Sequence, residues 1–95
     1  EMVPDAMLRA LKTLSDPTRL RILRYLADQP QTSSQLSRRL RLRTPTMTHH
    51  MNALRLAGLV YLQLDEQGER RYSVRAEAIE GTFIALKRFL EAKAK

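Results

Sequence analysis

Hydrophobic positions recur along this chain with two periods, and the change between them divides it. Over residues 4–14, Met7, Leu8, Leu11 and Leu14 are spaced three and four apart, which marks one face of a helix, and Pro4 suits a first turn. In SDPTRLRILRYLAD, Asp16 is placed to cap a helix that starts at Pro17, and Leu20, Ile22, Leu23 and Leu26 form its inward stripe. Pro30 ends that run. A third helix begins near Thr32–Ser34, where hydroxyl side chains accept the free N–H groups of the first turn. Leu36 and Leu40 face inward there, and Arg38, Arg39 and Arg41 lie outside. After a short turn, Thr44 is placed as a cap and Pro45 as a first residue, and Met47, Met51 and Leu54 recur at i, i+4 and i+7. Gly58 supplies the left-handed residue that stops this helix.

The period then falls from 3.6 to 2. Val60, Leu62 and Leu64 alternate with Tyr61, Gln63 and Asp65, and the alternation resumes at Tyr72 and Val74 after DEQGE, with Gly68 making the turn of a hairpin. Residues 77–92 return to helical spacing, with Ile79, Phe83, Leu86 and Leu90 along one side. The predicted fold is mainly α with one small β-hairpin: four helices, the hairpin and a closing helix. No internal repeat, low-complexity segment or long linker interrupts it.

The chain has 95 residues, 43% of them apolar, which predicts one domain over residues 1–95 with a single modest core. There is no cysteine, so disulfides, thiolate metal sites and thiol nucleophiles are excluded, and an intracellular location fits. No apolar run approaches the ~20 residues of a membrane span, which points to the cytoplasm. The sequence starts at Glu1 rather than Met, as expected of a processed product or of one part of a longer regulator.

Charge changes the picture more. The net charge is +7, and residues 29–64 carry Arg38, Arg39, Arg41, Arg43 and Arg55 with no Asp or Glu. A solvated face normally mixes signs. A positive stretch without counter-charges points to a polyanionic partner, with nucleic acid, membrane lipid or an acidic protein as candidates.

The stretch RTPTMTHHMNALRLAGLV holds the only two histidines, His49 and His50, and no carboxylate lies nearby in sequence. Adjacent helical residues point about 100° apart, so one ion is not held by both rings. No metal, no cofactor and only weak zinc binding near His49 are therefore expected. No nucleophile stands ready for a histidine base, and no G-x-S-x-G elbow or glycine-rich phosphate loop is present, so an enzyme is not expected. His50 lies beside the Met47–Met51–Leu54 stripe and is expected to pack at the edge of the core. His49, Thr46, Thr48 and Asn52 share the other side. Short hydrogen-bonding side chains without Glu or Lys suit base edges and phosphates in a major groove.

LSDPTRLRILRYL, followed by SSQLSRRLRLRTPTMTHHMNALRLAGLV and a hairpin ending RRYSV, resembles the ArsR family of winged helix-turn-helix repressors. The D-P-T-R-L-x-I-L opening, the T-x-x-H-H-M-x-x-L helix and the L-x-x-A-G-L-V exit occur in that order, a combination far more specific than any one of them. The resemblance implies a homodimer, a recognition helix over Thr44–Leu56, a wing near residues 61–74 and DNA contacts at Thr44, Thr46, Thr48 and His49. Three departures stand out. The cysteine pair and the late His and Asp ligands through which many members sense metals are missing. Arg41 and Arg43 replace the glycine and serine common in the turn, and the wing tip places Asp65, Glu66 and Glu69 beside Arg70 and Arg71.

Together these readings predict sequence-specific binding of double-stranded DNA and regulation of transcription, by repression, with the effector left open. Arg38, Arg39, Arg41 and Arg43 are expected on phosphates. Thr46, Thr48 and His49 are expected to read bases, with Thr44 and Asn52 also among the DNA contacts, and Arg70 or Arg71 at the adjacent minor groove. Dimerisation is expected through residues 1–14 and 77–95, by way of Met7, Leu11, Ile79, Phe83, Leu86 and Leu90. The rival readings are a winged-helix module that docks a protein and a regulator with a metal site of another kind.

Overall fold

The computed structural model describes residues 2–92. Glu1 and residues 93–95, the outermost parts of the two expected dimerisation segments, lie outside the described residues. Five helices and one hairpin follow in the order α1 (Asp5–Leu14), α2 (Pro17–Asp28), α3 (Ser33–Leu40), α4 (Thr44–Leu56), β1 (Val60–Leu64), β2 (Arg70–Val74) and α5 (Ala76–Glu91). No described helix is long and apolar enough to cross a membrane.

The helix ends show why the elements begin where they do. Asp16 accepts the backbone N–H of Arg19 at 2.9 Å, and Pro17 occupies the first turn, where a missing N–H costs nothing. Thr32 and Gln35 form a reciprocal capping box: Thr32 Oγ1 accepts the Gln35 N–H at 3.1 Å, and Gln35 Oε1 accepts the Thr32 N–H at 2.9 Å. The start of α4 differs from expectation. Arg43, not Thr44, holds the N-cap position, Thr44 is already helical, and no side chain caps the helix.

Helix α3 ends on Arg41 in the left-handed conformation (φ 54°), and this residue alone among the described non-glycine residues has positive φ. The conformation lets the Arg41 N–H reach the Arg38 carbonyl and the Leu42 N–H reach the Ser37 carbonyl, so the chain turns sharply into α4. Gly58 (φ 73°) ends α4 in the same way, with the Gly58 N–H on the Arg55 carbonyl and the Leu59 N–H on the Leu54 carbonyl.

The core gathers Ile22, Leu23 and Leu26 from α2, Leu36 and Leu40 from α3, and Met47, Met51 and Leu54 from α4, with Leu59 and Val60 closing it. Strands β1 and β2 pair antiparallel in the register Val60↔Val74, Leu62↔Tyr72 and Leu64↔Arg70. Gln31 extends this sheet by exchanging both backbone hydrogen bonds with Tyr72, at 3.1 and 2.8 Å.

Two stripes run differently from the hydrophobic pattern. Leu20 is half exposed (50%), so α2 is anchored by Ile22, Leu23 and Leu26 without it. Helix α1 buries Met7, Ala10 and Thr13, while Leu8 is exposed and Leu11 and Leu14 are half buried. Its neighbour α5 buries Thr82, with Ala78 and Ala85 half buried, so small side chains let the two helices approach closely. The buried hydroxyls are satisfied within their own helices: Thr13 Oγ1 donates to the Arg9 carbonyl at 2.8 Å and Thr82 Oγ1 to the Ala78 carbonyl at 2.9 Å.

A residue with a Cβ in the left-handed region costs roughly 1–2 kcal/mol, partly offset against glycine by the greater freedom glycine loses on folding. Arg41→Gly is therefore expected to stabilise the fold by roughly 0.5–1 kcal/mol. Denaturant unfolding measures this directly, and an unchanged or lower midpoint counts against strain at this turn.

Candidate nucleic-acid interface

Burial of Met47, Met51 and Leu54 fixes which side of α4 faces out. Thr44, Thr46, Thr48, His49 and Asn52 are all exposed, as are Arg43 before the helix and Arg55 near its end. Arg38 and Arg39 on α3 and Arg41 in the turn add to the same solvent-facing charge. Among the described residues, none of these arginines is in an ion pair; the three pairs present are Arg71–Asp65, Arg71–Glu69 and Arg75–Glu77. Arg39 lies over the Tyr25 ring, 5.3 Å from its centroid, which steadies the side chain without neutralising it.

The two wing arginines part company. Arg71 donates from Nε to Asp65 at 2.7 Å, reaches Glu69 at 3.5 Å and donates from a terminal nitrogen to Gln35 Oε1 at 3.2 Å. Its charge is spent inside the protein, and the bond to Gln35 ties the wing to the first turn of α3. Asp65 also accepts the backbone N–H groups of Gln67 and Glu69, at 2.9 Å each. The Arg71 bond first, and these backbone donors after it, hold the Asp65 carboxyl below the usual carboxylate range. Arg70 is exposed and stands outside every ion pair of the described residues.

The adjacent histidines have separate surroundings. Their rings are 5.7 Å apart between centroids and tilted by 57°, so they do not stack. His49 is exposed. His50 is half buried, and its Nδ1 accepts the Nε–H of Arg19 on α2 at 3.1 Å. A guanidinium only donates, so Nδ1 carries no proton and the neutral ring holds its hydrogen on Nε2. Burial lowers the His50 pKa, with Asp16 opposing this and Arg19 and His49 adding to it. Among the described residues, no three of His, Cys, Asp and Glu come together to hold a metal ion.

The sequence reading missed two features here. The T-x-x-Q spacing at Thr32–Gln35 is a visible capping-box signal. The Arg19–His50 bond joins residues 31 apart and has no sequence signature.

A family model described as a helix-turn-helix domain matches residues 14–63. Among curated proteins, none matches the chain in sequence. Among solved structures, an ArsR-like transcriptional regulator from Rhodococcus sp. RHA1 is 31% identical over 88% of this chain and 78% of its own, with a TM-score of 0.81. HlyU from Vibrio cholerae is 27% identical over 93% of this chain and 94% of its own, with a TM-score of 0.69. A homodimeric winged helix-turn-helix DNA-binding domain from Mycobacterium bovis shares the fold, with a TM-score of 0.71 at 23% identity over 96% of this chain and 87% of its own.

The lowered His50 pKa has a sign that can be checked. An imidazole whose folded-state pKa lies below its unfolded value binds more protons when unfolded, so stability is complete above the unfolded value and falls as pH drops through it toward the folded one. Unfolding midpoints are therefore expected to decline below about pH 6.5, and His50→Gln should remove that part of the decline. An identical acid profile in His50→Gln would show that His50 does not carry it.

Proposed function

The chain belongs to the ArsR family of winged helix-turn-helix transcriptional regulators, and we propose that it binds operator DNA as a homodimer and represses transcription. One observation carries this reading: a helix buried on one face turns Thr44, Thr46, Thr48, His49 and Asn52 outward beside arginines that, among the described residues, no carboxylate neutralises. On this reading Arg38, Arg39, Arg41 and Arg43 hold phosphates, the α4 side chains read base edges in the major groove, and Arg70 reaches the neighbouring minor groove. Arg71 holds the wing's shape from within.

Dimerisation is supported by what the protomer leaves uncovered. The radius of gyration is 15.0 Å, against about 12 Å for a self-contained domain of this length. Phe83 (55%) and Leu90 (70%) on α5 stay exposed, with Leu86 half buried between them. A groove of about 580 Å³ lies elsewhere, beside the end of α4; the apolar one, of about 530 Å³, is lined by Leu11, Leu14, Leu20, Leu23, Ile79 and Phe83. Met7 does not belong to the free surface, because it is only 5% exposed on the side of α1 that faces α5. The proposed interface is therefore Leu11, Ile79, Phe83, Leu86 and Leu90.

Enrichment of sites from random duplex DNA tests the reading as a whole; recovery of no common sequence overturns it. Salt separates it from protein docking, since phosphate binding weakens steeply with ionic strength and apolar docking does not. Arg41→Ala or Arg43→Ala should weaken specific and non-specific binding alike and flatten the salt dependence by about one unit. Thr48→Ala or His49→Ala should cost ~1–3 kcal/mol on the enriched site, the scale of one base contact. Identical behaviour of the two classes would refute this division of roles. Sedimentation should find a dimer that Phe83→Ala weakens; a species of only 11.0 kDa at micromolar concentration would count against dimerisation.

A further inference from the structure

We propose that Arg19 and His50 form a positioning pair that fixes the roll of α4 about its own axis, and with it the aim of the base-reading side chains. The inference rests on the DNA-reading role of α4 and adds to it two residues that need touch no base.

The buried face of α4 leaves this degree of freedom loosely determined. It consists of Met47, Met51 and Leu54, and apolar burial has no direction of its own. Two of the three are methionines, unbranched side chains that refill a gap after a small displacement. No side chain caps the first turn of α4. Among the described residues, the Arg19 Nε–H bond to His50 Nδ1 is the one side-chain hydrogen bond that any residue of α4 makes.

Its other end is well founded. Arg19 sits in the first turn of α2, its backbone N–H held by the Asp16 cap at 2.9 Å. Ile22, Leu23 and Leu26 anchor that helix in the core. The bond runs from a fixed helix to the middle of the reading helix, two residues past Thr48 and one past His49. A helix with its side chains is about 10–12 Å across, so a roll of ~10° carries a side-chain tip by ~1 Å. That displacement is enough to spoil a base hydrogen bond, whose heavy-atom range spans only about 0.5 Å. The phosphate-facing Arg38, Arg39, Arg41 and Arg43 are exposed side chains with room to follow the same displacement, whereas Arg19 is half buried and pinned at Nε. The pair therefore acts on discrimination between sequences and little on general affinity.

Substitutions can separate this role from packing. Asn places its side-chain oxygen where His50 carries Nδ1, so His50→Asn keeps the acceptor. Gln places its amide group near the Nε2 position, so His50→Gln loses it. Arg19→Lys keeps the charge and removes the planar Nε–H donor.

The probe is the duplex that the wild-type protein enriches from a random pool, measured against a scrambled duplex of equal length. Arg19→Lys and His50→Gln are each expected to lower the ratio of the two affinities about fivefold, the worth of one hydrogen bond. Scrambled-duplex affinity should stay unchanged, and His50→Asn should restore the ratio. Thermal unfolding confirms that each variant is folded at the binding temperature. The nitrogen NMR spectrum of the wild type reads the pair without mutation, and an Nε2-protonated ring with a hydrogen-bonded Nδ1 is expected. Equal losses on both duplexes, a His50→Asn variant no better than His50→Gln, or the opposite tautomer would each overturn the proposal. A wild type that enriches no duplex removes the DNA-reading role beneath it; one that does, with variants of undiminished selectivity, removes this inference alone.

Discussion

Helix α4 has to be held by one face only, and burial of Met47, Met51 and Leu54 is the interaction on which the rest of this structure depends. All three are at most 1% exposed. Fully burying a side chain of this size contributes roughly 1.5–3 kcal/mol, so the three together rival the whole net stability of a small domain. The other helices can be understood from that requirement. Helices α2 and α3 supply Ile22, Leu23, Leu26, Leu36 and Leu40 as the apolar bed, and Leu59 closes its far end. With one face committed to the core and His50 bonded to Arg19 at its edge, the exposed side of α4 is free to carry polar side chains such as Thr46, Thr48 and His49.

That freedom has a cost in stability that the sequence accepts. An Asp or Ser cap at the start of α4 contributes about 1 kcal/mol in ordinary helices, and acidic residues in a first turn add to it. Here Arg43 occupies the cap position and no acid follows. Helix α3 is capped by the neutral pair Thr32 and Gln35, and α4 is closed by Gly58, so neither helix needs a carboxylate at its ends. The acids are used where they shape the wing. Asp65 and Glu69 absorb Arg71, which leaves the wing tip without net positive charge and the positive field concentrated on α3, the turn and α4.

Much of this was legible in the sequence, for reasons that differ from element to element. The span and outward face of α4 followed from Pro45, the i, i+4, i+7 spacing of its apolar residues and Gly58, because local signals and tertiary packing agree there. The hairpin followed from the change of period and from Gly68. In helix α1 the spacing of large apolar side chains does not mark the buried line, because close approach to α5 buries Ala10 and Thr13 beside Met7 and leaves Leu8 exposed. Leu20 was misread because an apolar residue at helical spacing is no guide to whether a neighbour exists to cover it. Gln31 is 3% exposed and bonds the sheet through its backbone, which polarity alone would not suggest. The pairings Arg71–Gln35 and Arg19–His50 span 36 and 31 residues, and nothing local encodes them.

Leu59 joins these parts in a way that side-chain chemistry does not describe. Its N–H closes α4 on the Leu54 carbonyl at 3.0 Å, its carbonyl accepts the Arg75 N–H at the start of α5 at 2.8 Å, and β1 begins at the next residue. One buried peptide segment is thus a three-way joint among the reading helix, the wing and the terminal helix. Helix α5 is thereby coupled to α4 through main-chain bonds, with no slack side chain in the path. The N–H and carbonyl of this joint are supplied by any residue except proline, while the buried Leu59 side chain adds its own packing to the core, and a single inserted or deleted residue at the α4–β1 connection would break the register of both.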